Sequence, residues 1–201
     1  MFDDRFAKRM AASYRRRGLS RTAGRLVDLL ARRGIDGATV LEIGGGVGEI
    51  GIELLRRGAA TAVNLELSPA YDAEAEALVA EAGLAGKVSR RHLDIAAEPT
   101  AVEPADVVVL HRVVCCYPDY AGLLGAAADH ARRQLAFSFP PRNAISRAAV
   151  ATQNALLSMS GREFRTFAHP PAAMLAVLAE HGMHPTAAPS GRIWQVAAVA
   201  R

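Results

Sequence analysis

Thirteen residues, Thr39 to Gly51, constrain this chain more than any others: Thr-Val-Leu-Glu-Ile-Gly-Gly-Gly-Val-Gly-Glu-Ile-Gly. Strand-forming residues (Thr39, Val40, Leu41, Ile43) lead into glycines at 44, 45, 46 and 48, and helical periodicity begins at Val47. The chain must reverse here with backbone angles that a β-carbon resists, while a ligand lies against it. The helix that follows aims unpaired N–H groups and its dipole at whatever the turn holds, and Glu42 stands at the strand's carboxyl end. A strand, a tight turn and a helix start of this kind make a site for a nucleoside-bearing small molecule.

The 201 residues suffice for one domain, or one domain with an appendage, and for a full core. The longest apolar run, Ala172 to Ala179, is too short to span a bilayer, and no signal peptide is apparent, so a cytoplasmic location is expected. Cys115 and Cys116 are adjacent, a spacing that suits neither a structural disulfide nor a zinc knuckle; no metal site is assigned. The net charge of +4 is an N-terminal property, since residues 1–33 carry ten Arg or Lys against three Asp. Only Lys8 and Lys87 are lysines among 24 basic residues, which points to a GC-rich bacterial coding sequence.

Residues 1–33 read as two helices broken near Gly18. After the glycine turn, a helix runs to Gly58 and a strand from Ala60 to Leu65 ends at Glu66. Ser68-Pro69 opens a helix closed by Gly83, and a strand from Lys87 to Leu93 ends at Asp94. Ala105 to Leu110 is a buried valine strand followed by His111-Arg112, then a helix from Tyr120 to Arg133 and a strand from Gln134 to Phe139. A helix and loop over 142–168, a helix from Pro170-Pro171 through His181, and strands over His184–Ala188 and Arg192–Ala200 complete the chain. Alternating strands and helices predict a Rossmann-like α/β sandwich, a seven-stranded mostly parallel sheet with one antiparallel strand near the C-terminus. Its crevice lies at the strands' carboxyl ends, where Glu42, Glu66, Asp94 and His111-Arg112 fall.

Two cofactors compete for that crevice. Gly46-Val47-Gly48-Glu49-Ile50-Gly51 matches the dinucleotide fingerprint, with Glu66 twenty residues after Gly46 where a ribose-binding acid is expected. An NAD(P)-dependent oxidoreductase of this size usually places a tyrosine four residues before a lysine, and none of Tyr14, Tyr71, Tyr117 or Tyr120 has that partner. Taken from the strand end, Glu42-x-Gly44-x-Gly46-x-Gly48 resembles motif I of the class I S-adenosylmethionine-dependent methyltransferases, and Val40 to Asp119 is similar to that family motif by motif, in a small bacterial, actinobacterial form. The N-terminal Phe-Asp segment with Tyr117-Pro118 is similar to porphyrin and quinone O-methyltransferases. The chain departs from motif I at Gly45, where a small polar residue or cysteine is common, and at Asn64, unusual just before the ribose acid.

The resemblance implies S-adenosyl-L-methionine as cofactor and S-adenosyl-L-homocysteine as product. Glu42, Gly44, Gly45, Gly46 and Gly48 would form the turn under the methionine part, Glu66 with Leu67 would take the ribose, Asp94 and Ile95 the adenine, and Leu110 and His111 the amino end. Tyr14 would cover the cofactor. It further implies an N-terminal helical cap (1–38) and a methyltransferase core (39–201), with 142–168 inserted over the acceptor side. His111 is the leading candidate for a base or orienting group, because a free imidazole titrates near neutrality, and Tyr117 and His169 are candidate pocket walls. Trp194 reads as core, and the two cysteines as small buried hydrophobes. The basic, tyrosine-bearing N-terminus favours an anionic small-molecule acceptor over nucleic acid, for a monomer or homodimer. A catalytically silent cofactor-binding protein is the alternative outside enzymology.

Overall fold

The valine strand is the middle of the sheet. β4 (Ala105–Leu110) holds Val107, Val108, Val109 and Leu110 with no exposed surface. A strand covered on both faces has no use for polar alternation, which is why its sequence is valine after valine. The computed structural model describes residues 3–159, 164–191 and 193–201. β1 (Thr39–Ile43), β2 (Thr61–Leu65), β3 (Val88–Arg91) and β5 (Ala131–Phe139) join β4 in parallel, while β7 (Gln195–Ala200) runs antiparallel to both β5 and β6 (His184–Pro185). The order β3-β2-β1-β4-β5-β7-β6 reverses direction of winding between β1 and β4, the position at which an open α/β sheet leaves its crevice. This is the Rossmann-like seven-stranded architecture expected.

Successive side chains divide the core in two. Val40, Val107 and Val109 face α2 (Arg21–Ala31) and α3 (Glu49–Arg56), whose Leu26, Val27, Ile50 and Leu54 are buried. Leu41, Val108 and Leu110 face α5 (Tyr120–Asp129) and α7 (Pro171–Glu180), which contribute Leu123, Leu124, Met174 and Leu178. α1 (Asp4–Arg17) lies beside α4 (Asp72–Glu81). α6 (Ala144–Met159) buries no residue at all. Among the described residues no helix is long and apolar enough to cross a membrane.

Several boundaries differ from expectation for local reasons. α3 starts at Glu49 rather than Val47, because Gly48 takes a left-handed conformation (φ 79°) as its N-cap. Ser68 does not cap a helix: its N–H goes to the Glu66 carboxylate, and a 3-10 turn (Pro69–Tyr71) precedes α4. β3 ends at Arg91, since His92 turns its ring to Asp72 (2.9 Å) and Asp94 starts a turn by accepting the Ala96 N–H. α5 ends at Asp129, four residues early, where the His130 ring bonds the carbonyls of Ala126, Pro99 and Val102, and Ala131 already pairs with Ala105. The expected helix and loop over 142–168 contains α6, with 160–163 outside the described residues. The last strand begins at Gln195; Arg192 lies outside the described residues. Trp194 is half-buried rather than core, with the Arg112 guanidinium 4.8 Å over its ring.

Candidate active site

The residues placed by sequence at four consecutive strand ends do converge. Glu42, Glu66, Asp94 and His111 border one cavity of about 800 Å³, together with Gly44, Gly45, Gly46, Leu67, Ile95, Tyr14 and Tyr117. Gly48 and Leu110 do not border it: Gly48 caps α3 and Leu110 is wholly inside the core.

The glycine turn has few N–H groups to offer an anion. Gly44 and Gly45 both donate to the Leu65 carbonyl (2.7 and 3.1 Å), Gly48 donates to Gly45 (2.8 Å), and Gly46 donates to Glu66 Oε2 (2.9 Å). A pyrophosphate cradle requires such groups free and pointing outward. Carboxylates surround the turn instead. Glu42 is 2% exposed, and burial, reinforced by the nearby Glu49, pushes its carboxyl up to about 8. Glu49, the first residue of α3, also borders the cavity; burial raises its carboxyl, and its Oε2 has no hydrogen-bond partner. A buried carboxylate oxygen left unpaired needs a cationic group or a donor to face.

A polar network supports the turn from behind. Glu42 Oε2 accepts from the Gly51 N–H (3.1 Å) and from Asn64 Nδ2 (3.3 Å). Asn64 Oδ1 accepts from Arg90 Nη1 (2.9 Å), which also donates to the Gly46 carbonyl (2.8 Å), while Arg90 Nε is paired with Asp72 (2.7 Å). A β-carbon at Gly45 would lie 2.3 Å from Asn64 Nδ2. The two departures from motif I are therefore one feature, because the Asn64 amide occupies the space that a side chain at position 45 would fill. Sequence reasoning noted both residues but had no means of pairing them, and it missed Glu49, Arg90 and Asp72. Arg90's position three residues before the end of a strand expected at Leu93 was the available signal.

At the end of β4, Arg112 adopts φ 60°, a left-handed conformation that is strained for a residue with a β-carbon. Ser138, buried at the end of β5, accepts the Arg112 N–H (3.0 Å) and lies 2.9 Å from His111 Nδ1. A hydroxyl that accepts from one N–H and donates to Nδ1 satisfies all three groups, which assigns the ring proton to Nε2. Burial and the adjacent Arg112 depress His111 to about 4, so the imidazole is neutral at physiological pH. An imidazole so depressed is a weak proton acceptor.

Tyr14 reaches the cavity from α1, its hydroxyl donating to Glu53 (2.7 Å) and accepting from Arg56 (3.1 Å). Tyr117 donates to Asp94 Oδ2 (2.9 Å). His169 does not border the cavity; it donates to the Tyr117 carbonyl (3.0 Å) and packs against Tyr120 and Phe167. Phe6, Met10, Tyr71, Cys116 and Phe164 add to walls that are mainly apolar, and Arg112 also borders the cavity.

Comparison with known proteins agrees with this geometry. The family described as a methyltransferase domain matches residues 12–176. The chain belongs to that methyltransferase family. No curated protein sequence matches it. Its fold is similar to magnesium protoporphyrin IX methyltransferase from Synechocystis with bound SAH, at 21% identity and TM-score 0.72, covering 90% of this chain and 82% of that one. An O-methyltransferase family protein from Burkholderia thailandensis gives 19% identity and TM-score 0.74, over 99% of this chain and 60% of that one. An O-methyltransferase family 2 protein from Planctomyces limnophilus, complexed with apigenin, gives 18% identity and TM-score 0.71, over 100% of this chain and 62% of that one.

Proposed function

We propose that the protein methylates a small, largely apolar acceptor. The enzyme is an S-adenosylmethionine-dependent methyltransferase. One observation carries the cofactor assignment: the turn's N–H groups at Gly44, Gly45, Gly46 and Gly48 are committed to other acceptors, while Glu49, buried and with one oxygen unpaired, borders the cavity. A dinucleotide would find no free turn N–H for its pyrophosphate, whereas an ammonium beside Glu49 would give the unpaired oxygen a partner and favour the ionised carboxylate. Glu49 would face the cofactor's ammonium, Glu66 its ribose hydroxyls, and Asp94 its adenine.

The cofactor supplies a methyl group already activated on sulfonium. The chain's own residues then have to align the acceptor and exclude water, and alignment alone can account for much of the rate. His111, neutral and donating through Nε2, orients the acceptor but is a weak proton acceptor. This favours an acceptor whose nucleophile ionises by itself, such as a carboxyl or an acidic phenol. Phe6, Met10, Tyr71, Cys116 and Phe164 would enclose its apolar body. Arg15 is already paired with Glu74 and Glu81 (3.0 and 2.8 Å), and none of Arg15, Arg16 and Arg17 borders the cavity, so the apolar walls weigh more than the N-terminal charge.

Incubating the protein with S-adenosylmethionine and a panel of aromatic acids and phenols, read by mass spectrometry, tests this. Gain of one methyl on an aromatic acid or phenol, absent with aliphatic amines, is the expected result. Methylation only of amines or of nucleic acid would refute the acceptor class, and cofactor binding without any product would favour a silent binding protein.

A further inference from the structure

Adjacent side chains diverge on a strand, but Cys115 and Cys116 sit on a 3-10 turn (Val114–Cys116), where they swing towards the same side. Their sulfurs lie 3.6 Å apart, and each is within 3.5 to 3.6 Å of the Arg112 carbonyl. Both are free thiols. Cys116 borders the cavity, and Cys115 lies buried directly behind it. Cys116, which borders the cavity, is placed to meet an oxidant first, and Cys115, buried and with its sulfur 3.6 Å away, to resolve it.

We propose that Cys115 and Cys116 are an oxidisable vicinal dithiol, closed to a disulfide by hydrogen peroxide, and that closure weakens cofactor binding. Cys116 thiolate attacks the peroxide O–O bond, taking one oxygen as sulfenic acid and releasing water. Cys115 then attacks the Cys116 sulfur, forming the S–S bond and releasing a second water. The two thiols lose two electrons and two protons, and the peroxide becomes two waters.

Closure must bring the sulfurs from 3.6 Å to about 2.0 Å. Neighbouring Cα atoms are about 3.8 Å apart across a trans peptide, short of the roughly 4.4 to 6.8 Å that disulfides favour, so the ring is strained and easily reduced. Such a bond suits reversible sensing in a thiol-rich compartment rather than structural reinforcement. Three contacts connect the turn to the site. Val113 packs against Gly44, the Cys115 carbonyl accepts the Phe167 N–H (2.7 Å), and Tyr117 holds Asp94.

The effect on cofactor binding rests on the function proposed above, whereas disulfide formation does not. Limited hydrogen peroxide treatment of the full chain, followed by intact mass, thiol alkylation and calorimetry with S-adenosylhomocysteine, separates the two. The expected result is loss of two hydrogens, no alkylatable thiol, a monomeric band on a non-reducing gel, and affinity weakened about tenfold or more and restored by dithiothreitol. In Cys115→Ser, dimedone should trap a sulfenic acid at Cys116; Cys116→Ser should resist peroxide. Two alkylatable thiols after treatment, sulfinic acid at Cys116, or disulfide-linked dimers would overturn the dithiol. A disulfide with unchanged affinity would overturn its coupling to the site. If the reduced protein fails to bind S-adenosylhomocysteine, the functional reading fails while the mass result still judges the disulfide.

Discussion

The glycine turn and α6 are built differently. Behind the glycine turn, Glu42, Asn64, Arg90 and Asp72 form a chain of hydrogen bonds in which each residue fixes the next. α6, by contrast, buries no residue and lines none of the cavity; its Asn154 amide exchanges hydrogen bonds with the Thr166 backbone (2.8 and 2.9 Å). The surroundings of the glycine turn are thus preorganised and intolerant of change, while α6 carries exposed apolar side chains such as Ile145 and Leu156 that packing does not constrain.

Substitutions in the two regions should differ sharply, and the largest effect is expected at Glu66. Glu66→Ala removes the acceptor of the Gly46 and Ser68 N–H groups as well as the proposed ribose ligand. Charge-assisted hydrogen bonds of this kind contribute about 3 kcal/mol together, so S-adenosylhomocysteine affinity should fall roughly 100-fold by calorimetry. An unchanged affinity would remove Glu66 from the site.

Gly45→Ala should cost about 2 kcal/mol of stability by driving a β-carbon into the Asn64 amide. Asn64→Ala leaves Arg90 and Glu42 short of partners and is also destabilising. Because the two side chains would contend for one space, the double variant should be more stable than the sum of the single changes, by about 1 kcal/mol or more in a denaturation cycle. Additive losses would show that Asn64 and Gly45 are independent.

Glu42 gives a smaller, pH-dependent effect. Its folded carboxyl is raised from 4.5 to about 8, so the folded state holds a proton that the unfolded state releases, and stability falls as pH rises through that window. His111, depressed from 6.5 to about 4, acts oppositely but only below pH 6.5. Between 6.5 and 8, then, wild type should lose about 1 kcal/mol that Glu42→Gln does not lose. Parallel melting curves for both proteins across this range would contradict the assignment. On α6, Ile145→Ser or Leu156→Ser should change stability by less than about 0.5 kcal/mol, since both side chains are already in water.

The comparison also explains what could be read from sequence. The turn, the acids at the strand ends and the valine strand follow from local rules, and the structure brings Glu42, Glu66, Asp94 and His111 to one cavity. The end of α5 was not legible, because His130 terminates it with side-chain bonds where the sequence pattern carries the helix on to Arg133. Neither the Gly45–Asn64 complementarity nor the role of Ser138 could be seen, since both depend on cross-strand neighbours that no spacing along the chain encodes. Glu49 lay inside the glycine motif, yet only burial shows that one of its oxygens lacks a partner.

The most direct test of the account is calorimetric titration of the wild-type protein with S-adenosylhomocysteine and, separately, with NAD(H) and NADP(H). Micromolar binding of the adenosyl ligand, about −8 kcal/mol, with no heat from any nicotinamide nucleotide, is the predicted result. Binding of a nicotinamide nucleotide without binding of S-adenosylhomocysteine would contradict it, and would mean that the glycine turn opens its N–H groups to a pyrophosphate after all.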